Sequence, residues 1–271
     1  MTRLRLLSYL APSIPEELFE LVAAELRAAT RMPVDLAFET RVSGPSAEDD
    51  PFAAGRADLA FVCAPSYPAL RESGSPVVLL PAAPVFDDPR AEGRPVYYSD
   101  VVVRSAHPAS RFEDLNGAVW SYNDRRSRSG WFNMLARLAQ IGHPGPPEGF
   151  FAALVPAGSH RRSLELVAGG AADAAAIDSN TLRLAVRREP ESVSGLRVLE
   201  SWGPMPIQPV LAAAALPERL RRRIAQTLLG LAEGPIARAR LSEFGLRGFA
   251  PVEEATYASL SSDLPWAVRM V

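Results

Sequence analysis

The feature that most constrains the fold is a repeated alternation of short apolar runs with segments of helical periodicity. Residues 15–29 place apolar side chains at three- and four-residue steps, as an amphipathic helix requires, whereas residues 34–38 alternate as a strand does. Residues 59–63 form a continuous apolar run, which is typical of a strand covered on both faces. This β-α alternation predicts mostly parallel sheets whose strands are connected by crossover helices.

The alternation is interrupted once by a long β-rich segment at residues 95–103 and resumes in a second series from 118 to 199. A strand of that length predicts a crossing between two lobes, and the proline-rich residues 201–209 predict the return crossing. A strand at 210–215 and helices at 217–231, 235–241 and 253–260 then complete the first lobe. We therefore expect an α/β protein with lobe 1 built from residues 1–98 and 205–271, and lobe 2 from residues 99–204.

Charge and cysteine content exclude several classes of function. The 271 residues include 29 basic and 31 acidic side chains, so a net charge of −2 does not favour binding to nucleic acid. The single Cys63 excludes an internal disulfide and, within an apolar run, indicates a buried thiol. Neither a Cys/His cluster nor an HExxH spacing is present, so we predict no metal site and no cofactor.

The N-terminal residues bear on the compartment. A leucine-rich run after Arg3 and Arg5 is interrupted by Pro12 and Pro15, so it is shorter than the apolar core of a secretion signal. No run of about 18 apolar residues predicts a membrane span. As the sequence stands we expect a cytoplasmic protein, and a periplasmic or cell-surface one if the chain is a trimmed mature form.

The segment from residue 121 to 134 is the strongest candidate for a binding site. The apolar run at 118–120 enters a loop rich in hydroxyls and arginines, and a helical pattern then begins at Gly130. The first amides of a helix lack intrahelical partners and lie at the positive end of its dipole, so this loop suits an oxyanion. The alternative is an ordinary helix start in which Ser127 or Ser129 caps the free amides.

Other polar side chains also follow predicted strands, where ligands of α/β proteins bind. Each has a structural alternative: the tyrosines could pack between lobes, the histidine could be a surface residue, and the aspartate could cap a helix. Asp58 is interpreted as stabilising a loop. The candidates are Tyr67, Tyr98, Ser99, Ser159, His160 and Asp178.

Taken together and in order, these motifs resemble the phosphate, phosphite and phosphonate class of type II periplasmic binding proteins, the solute receptors of ABC importers. The resemblance extends from Gly55 to Asp178, and the remaining chain fits in length and β-α rhythm. The matching segments are residues 55–61, 97–103, 113–117, 127–130, 158–160 and 173–178.

The resemblance implies a hinged two-lobe receptor. In such a receptor Ser127, Ser129 and Gly130, with the Ser159–His160 turn, would hold the oxyanion, and the imidazole could carry a proton. Tyr67 and Tyr98 would line the other wall, Ser99 would lie at the crossing, and Asp178 would lie near the distal group of the ligand.

Arg128 departs from the pattern of the family, which usually has an uncharged residue there. Facing inward, its guanidinium would favour a carboxylate or a dianionic group, because it can donate two parallel hydrogen bonds. Facing outward, it would be a solvated charge.

Three functions fit these observations. We expect a solute-binding protein, not an enzyme, that closes on a small oxyanion such as phosphonate, phosphate or phosphite for ABC-type import. It would be a monomer with an ABC permease as its partner. The alternative is a cytoplasmic enzyme on the same scaffold that acts on a small anionic metabolite. A ligand-sensing regulator is the third possibility, although no helix-turn-helix precedes the first lobe.

Overall fold

The computed structural model describes residues 3–262. These residues form two compact units. The first contains the described residues up to Val96 and again from Pro206, and the second extends from Tyr97 to Met205. The chain passes between the units within two long strands, β6 and β10, whose ranges are given below.

The first unit begins with β1 (Leu4–Ser8), α1 (Glu16–Thr30), β2 (Val34–Phe38), β3 (Leu59–Phe61), α2 (Ser66–Glu72), β4 (Val77–Leu79) and β5 (Ala83–Phe86). Then β6 (Val96–Arg104) leads into the second unit, which contains β7 (Val119–Tyr122), α3 (Asn133–Gln140), β8 (Ala153–Pro156), α4 (His160–Ala168), β9 (Ala174–Asp178), α5 (Ser179–Arg188) and α6 (Pro190–Val193). The chain returns through β10 (Leu196–Pro206) to β11 (Val210–Ala213), α7 (Glu218–Leu229), α8 (Pro235–Ser242), β12 (Leu246–Ala250) and α9 (Ala255–Ser262).

The main sheet of the first unit has the strand order β2-β1-β3-β11-β4. Strand β1 pairs in parallel with β2 and β3, whereas β11 is antiparallel to its neighbours β3 and β4. Leu6, Leu59 and Leu211 lie on adjacent strands and are almost fully buried. Cys63, just after β3, is buried too, which confirms the interpretation of its thiol.

The sheet of the second unit has the order β10-β6-β9-β7-β8. Strand β7 is parallel to β8 and β9, and β6 is antiparallel to β9. Consequently the carboxyl ends of β7, β8 and β9 lie at the same edge of the sheet as the amino end of β6. Two apolar clusters pack against this sheet. In one, Trp120 and Phe112 pack edge-to-face with ring centroids 5.8 Å apart, and in the other Val102 and Ile177 pack with α4 and α5.

The predicted α/β class is confirmed, and both main sheets are mixed. The return of the chain predicted within residues 201–209 occurs there, between Met205 and Pro206. Most of these residues belong to β10, which tolerates prolines because it lies at a sheet edge, where proline does not remove a needed ladder hydrogen bond. The apolar residues 150–155 predict a strand, but β8 begins only at Ala153, after a 3-10 turn at residues 147–149. Finally, β5 and β12 form a two-stranded antiparallel pair that the sequence analysis missed. Pro84 in one strand and a register shift near Gly248 in the other obscure the strand signal.

Candidate anion-binding site

One edge of the second sheet brings most of the predicted side chains together. Ser99 lies at the amino end of β6, and the Ser127 loop follows β7. His160 follows β8, and Asp178 ends β9. Because these strand ends share one edge, four separate segments of the chain supply polar groups to the same region.

The loop after β7 closes in a π-helical turn, Arg128–Phe132, which precedes α3. The carbonyl of Ser127 accepts from the amides of Trp131 and Phe132, at 3.2 and 3.1 Å, and its hydroxyl accepts from the amide of Gly130 at 3.1 Å. Ser127 therefore caps the turn, as the structural alternative predicted. Its hydroxyl proton is not used in this cap, because a hydroxyl can donate and accept at once.

Gly130 is required by close packing. A Cβ at this position would overlap Oδ1 of Asn123 and lie 3.3 Å from Cε1 of His160. Asn123 is 7% exposed, so its amide has little room to move aside. The absence of a side chain at Gly130 therefore lets the π turn approach both Asn123 and the imidazole.

His160 is tied to this turn. The hydroxyl oxygen of Ser129 lies 3.0 Å from Nε2 of His160, and the carbonyl of Ser129 accepts from the hydroxyl of Ser99 at 2.8 Å. Burial lowers the pKa of His160 to about 3, against the opposing effect of a hydrogen bond to the backbone of Ala176. The imidazole is thus neutral near pH 7, and the expected protonated form is not the resting state of this structure.

Helix α4 begins beside the same edge. Gly158 has a φ of +81°, a conformation that favours glycine, and it turns the chain from β8 towards the helix. The hydroxyl of Ser159 then accepts from the amide of Arg162 at 3.1 Å as an N-cap. His160 is the first residue of α4 and is 5% exposed, so the alternative of a surface histidine is wrong.

Asp178 ends β9 directly opposite Ser99 in the antiparallel register. Its Oδ1 accepts from the amide of Asn180 at 2.8 Å, so Asp178 is the N-cap of α5. The next residue, Ser179, accepts from the amide of Tyr98 at 3.0 Å through its hydroxyl. Asp178 is therefore a structural cap at this edge, and its predicted contact with a ligand stays a prediction.

Arg128 is half-buried, and its Nε and Nη1 atoms are shielded from solvent. Whether the guanidinium faces a ligand stays a prediction. A neighbouring arginine behaves differently: Arg125 is exposed and covers the ring of Trp131, with its guanidinium carbon 4.8 Å from the ring centroid.

The two tyrosines have different surroundings. Tyr67 belongs to the first unit, where its hydroxyl donates to Oε1 of Glu254 at 2.9 Å and its ring packs edge-to-face on Tyr257. Burial, followed by the hydrogen bond to Glu254, raises the pKa of Tyr67 to about 12. Tyr98 is half-buried, and its ring lies close to Gly203 of β10. Contact of either ring with a ligand stays a prediction.

The structure also reveals residues at this edge that the predicted site did not include. Asn123 follows β7 and packs on Gly130, while Asn180 and Thr181 lie in the first turn of α5 and are each 4% exposed. Asparagine is common in the loops that follow strands, so its position in the sequence does not indicate a functional role. Among residues 3–262, no group of three His, Cys, Asp or Glu side chains could hold a metal ion.

The strand orders and helix placement define a class of protein: the chain has the α/β two-lobe periplasmic binding protein fold. A binding protein component of an ABC phosphonate transporter from Pseudomonas aeruginosa superposes with a TM-score of 0.81 at 14% identity, covering 98% of this chain and 86% of its own. PhnD1 from Prochlorococcus marinus in complex with methylphosphonate has a TM-score of 0.81 at 16% identity, with 100% and 99% covered. A Xanthomonas citri protein bound to ATP reaches 0.72 at 18% identity, with both chains fully covered.

The family follows from the sequence itself. Residues 5–257 match the family described as ABC transporter, phosphonate, periplasmic substrate-binding protein. The chain belongs to this family, as the ordered motifs predicted. Within the described part of the chain, no helix has the length and apolar character needed to cross a membrane.

Proposed function

We propose that this protein is a periplasmic receptor that binds a small phosphonate-type oxyanion at the edge of its second sheet and delivers it to an ABC permease. The observation that supports this most is the contact between Ser129 and His160, with 3.0 Å between Oγ and Nε2. Hydroxyls and helix-start amides from two strand ends lie around it, and such groups bind tetrahedral oxyanions.

The proposed contacts divide into two sets. Ser127, Ser129 and the amides at the start of the π turn form one set, and Ser159 and His160 at the start of α4 form the other. The hydroxyls of Ser127 and Ser159 already cap the amides of Gly130 and Arg162, so in this proposal the anion accepts from other first-turn amides, which have no intrahelical carbonyl as acceptor. In this proposal the positive charge of Arg128, which lies between Ser127 and Ser129 in the sequence, favours a dianionic ligand.

Ligand binding in this proposal shifts the population of open and closed states. The strands β6 and β10, through which the chain passes between its units, are the hinge candidates. Small-angle X-ray scattering should show a smaller radius of gyration at saturating ligand, and an unchanged radius would argue against closure.

An enzyme on the same scaffold is less well supported. A general base is most effective when its pKa lies near the working pH, and the pKa of His160 is lowered to about 3 by burial. The imidazole is therefore poorly suited to proton abstraction at neutral pH.

A thermal-shift and calorimetry panel tests the function. The panel contains methylphosphonate, phosphate, phosphite, sulfate and acetate. A ligand at 100 times its dissociation constant stabilises the folded protein by about 2.7 kcal/mol, which gives a clear rise in Tm. We expect phosphonate, phosphate or phosphite to produce that rise and acetate to produce none. A folded protein that responds to none of the phosphorus oxyanions would refute the proposal.

A further inference from the structure

Two consecutive side chains at the start of α5 are buried with polar atoms that have no hydrogen-bond partner among the described residues. They are Asn180, through both Oδ1 and Nδ2, and Thr181, through Oγ1. Each residue is only 4% exposed. Burying such atoms without a partner costs their full desolvation, so side chains in this state are uncommon in folded proteins.

Their position connects them to the candidate anion-binding site. Helix α5 begins directly at the carboxyl end of β9, between β6, which carries Ser99, and β7, which leads into the Ser127 loop. The backbone amide of Asn180 donates to Oδ1 of Asp178, and Asp178 lies opposite Ser99 in the strand register. The two unpartnered side chains therefore lie at the same sheet edge as the proposed oxyanion contacts.

The side-chain amide of Asn180 has one acceptor, Oδ1, and one donor group, Nδ2, which limits the groups that can hydrogen-bond to both. A fully ionised phosphonate offers only acceptors, so its oxygens can pair with Nδ2 of Asn180 but not with Oδ1. An ammonium group can donate to Oδ1, but it has no acceptor for Nδ2, which would then lie beside a positive charge. A hydroxyl group can donate to Oδ1 and accept from Nδ2, and Thr181 adds another group that both donates and accepts.

On the basis of the proposed function, we propose that Asn180 and Thr181 contact the group attached to phosphorus in the bound oxyanion. They would select a neutral group that carries a hydroxyl. The class of ligand is a small phosphonate with a hydroxyl on the carbon next to phosphorus. A methyl group would leave both amide atoms unpaired, and sites built around a hydroxyl reject analogues that lack it.

Three ligands of nearly equal size test the selection by isothermal titration calorimetry: hydroxymethylphosphonate, methylphosphonate and aminomethylphosphonate. We expect the native protein to bind the hydroxymethyl ligand at least about 10-fold more tightly than either of the others. A ratio near one between the hydroxymethyl and methyl ligands would overturn the inference while leaving the proposed function intact. Failure to bind any of the three, in a folded protein, would overturn both.

Asn180→Leu and Thr181→Val remove the polar atoms with little change in volume. In Asn180→Leu the preference for hydroxymethylphosphonate should fall below about 3-fold, while the affinity for methylphosphonate stays within about 3-fold of native. The ligand-free Tm should rise, because a buried unpaired amide has been removed. Thr181→Val should reduce the preference in the same direction.

The control is the same substitution at an exposed asparagine of the same unit, Asn116→Leu. It should leave both the preference and the affinities unchanged. If Asn180→Leu retains the native preference, the two side chains do not contact the substituent. If Asn180→Leu does not fold, Thr181→Val decides: an unchanged preference in that variant overturns the inference.

Discussion

The hydroxyl oxygen of Ser129 lies 3.0 Å from Nε2 of a buried, neutral His160. A neutral imidazole has one donor and one acceptor nitrogen, whereas a hydroxyl can donate and accept at once. The carbonyl of Ser129 accepts a hydrogen bond from the hydroxyl of Ser99, at 2.8 Å. The pair is therefore held by three strand-end segments, and the site does not depend on a single flexible loop.

Ser129→Ala tests the proposed oxyanion contact. Loss of this hydroxyl should weaken phosphonate binding by about 1–3 kcal/mol, or roughly 5- to 150-fold in Kd, because a hydrogen bond to a charged group is lost. Calorimetry with methylphosphonate measures the change. Ser194→Ala is the matched control, since Ser194 is exposed and its hydroxyl donates to the carbonyl of Glu191. Equal affinity in both variants would place the oxyanion elsewhere.

The buried imidazole predicts a pH dependence of stability. The pKa of His160 is lowered from about 6.5 in the unfolded chain to about 3 in the folded protein, so below about pH 6.5 only the unfolded chain binds this proton. Stability conferred by the neutral ring is present at higher pH and is lost as the pH falls from about 6.5 towards 3. The loss approaches roughly 1.4 kcal/mol for each pH unit within that window.

Urea denaturation between about pH 5 and 7 measures this dependence. His160→Gln cannot titrate, so its free energy of unfolding should change less with pH than that of the native protein. Carboxyl groups such as Asp114, whose pKa is lowered to about 2 chiefly by hydrogen bonds from Ser110, titrate at lower pH and are common to both proteins. Parallel pH profiles would show that the ring of His160 is accessible to protons.

Gly130→Ala should abolish binding of the oxyanion, because the added methyl group overlaps Oδ1 of the buried Asn123. The double variant Gly130→Ala with Asn123→Ala removes the overlapping atom and should recover part of the affinity and of the Tm. Thermal-shift titration with methylphosphonate compares native, single and double variants. Gly145→Ala is the control, as a Cβ there would meet nothing within 4 Å. Equal losses in Gly130→Ala and in the double variant would show that the overlap is not the cause.

Asp58 should affect stability and not binding. Its carboxylate accepts from the amide and the guanidinium of Arg5, with Nε to Oδ2 at 2.9 Å and Nη2 to Oδ1 at 2.7 Å, and its side chain is 6% exposed. Asp58→Asn should reduce the free energy of unfolding by about 1–3 kcal/mol, because part of this buried network is lost. Asp35→Asn breaks the exposed pair with Arg3 and should cost less than about 0.5 kcal/mol.

Chemical denaturation gives both free energies, and calorimetry gives Kd for methylphosphonate in each variant. If the two aspartate variants lose equal free energy of unfolding, the buried ion pair of Asp58 does not stabilise the protein more than the exposed pair of Asp35. A large change in Kd for Asp58→Asn would show that this residue reaches the ligand.

Sequence patterns predicted most elements of the fold because burial imposes a period on each of them. The range of β2 agrees residue for residue with the alternating segment 34–38 that predicted it. The pair β5 and β12 was not predictable, since Pro84 and Gly248 weaken the strand signal and the pairing joins distant segments.

The site was only partly predictable for a different reason. Ser127 and His160 were found because polar residues follow apolar runs, but spacing along the chain cannot show burial. The neutral state of His160 arises from burial at the sheet edge, and the overlap between Gly130 and Asn123 arises from loop packing. The unpartnered amide of Asn180 likewise became visible only when its surroundings were known.

The strands that lead into and out of the second unit, β6 and β10, are neighbours in one sheet. All the proposed ligand contacts except Tyr67 belong to the uninterrupted stretch between Tyr97 and Met205. The second unit is therefore a cassette inserted into the first, with adjacent ends and its own apolar clusters. Recombination that exchanges one continuous gene segment would replace all of these proposed contacts together and leave unchanged the two separate segments that build the first unit.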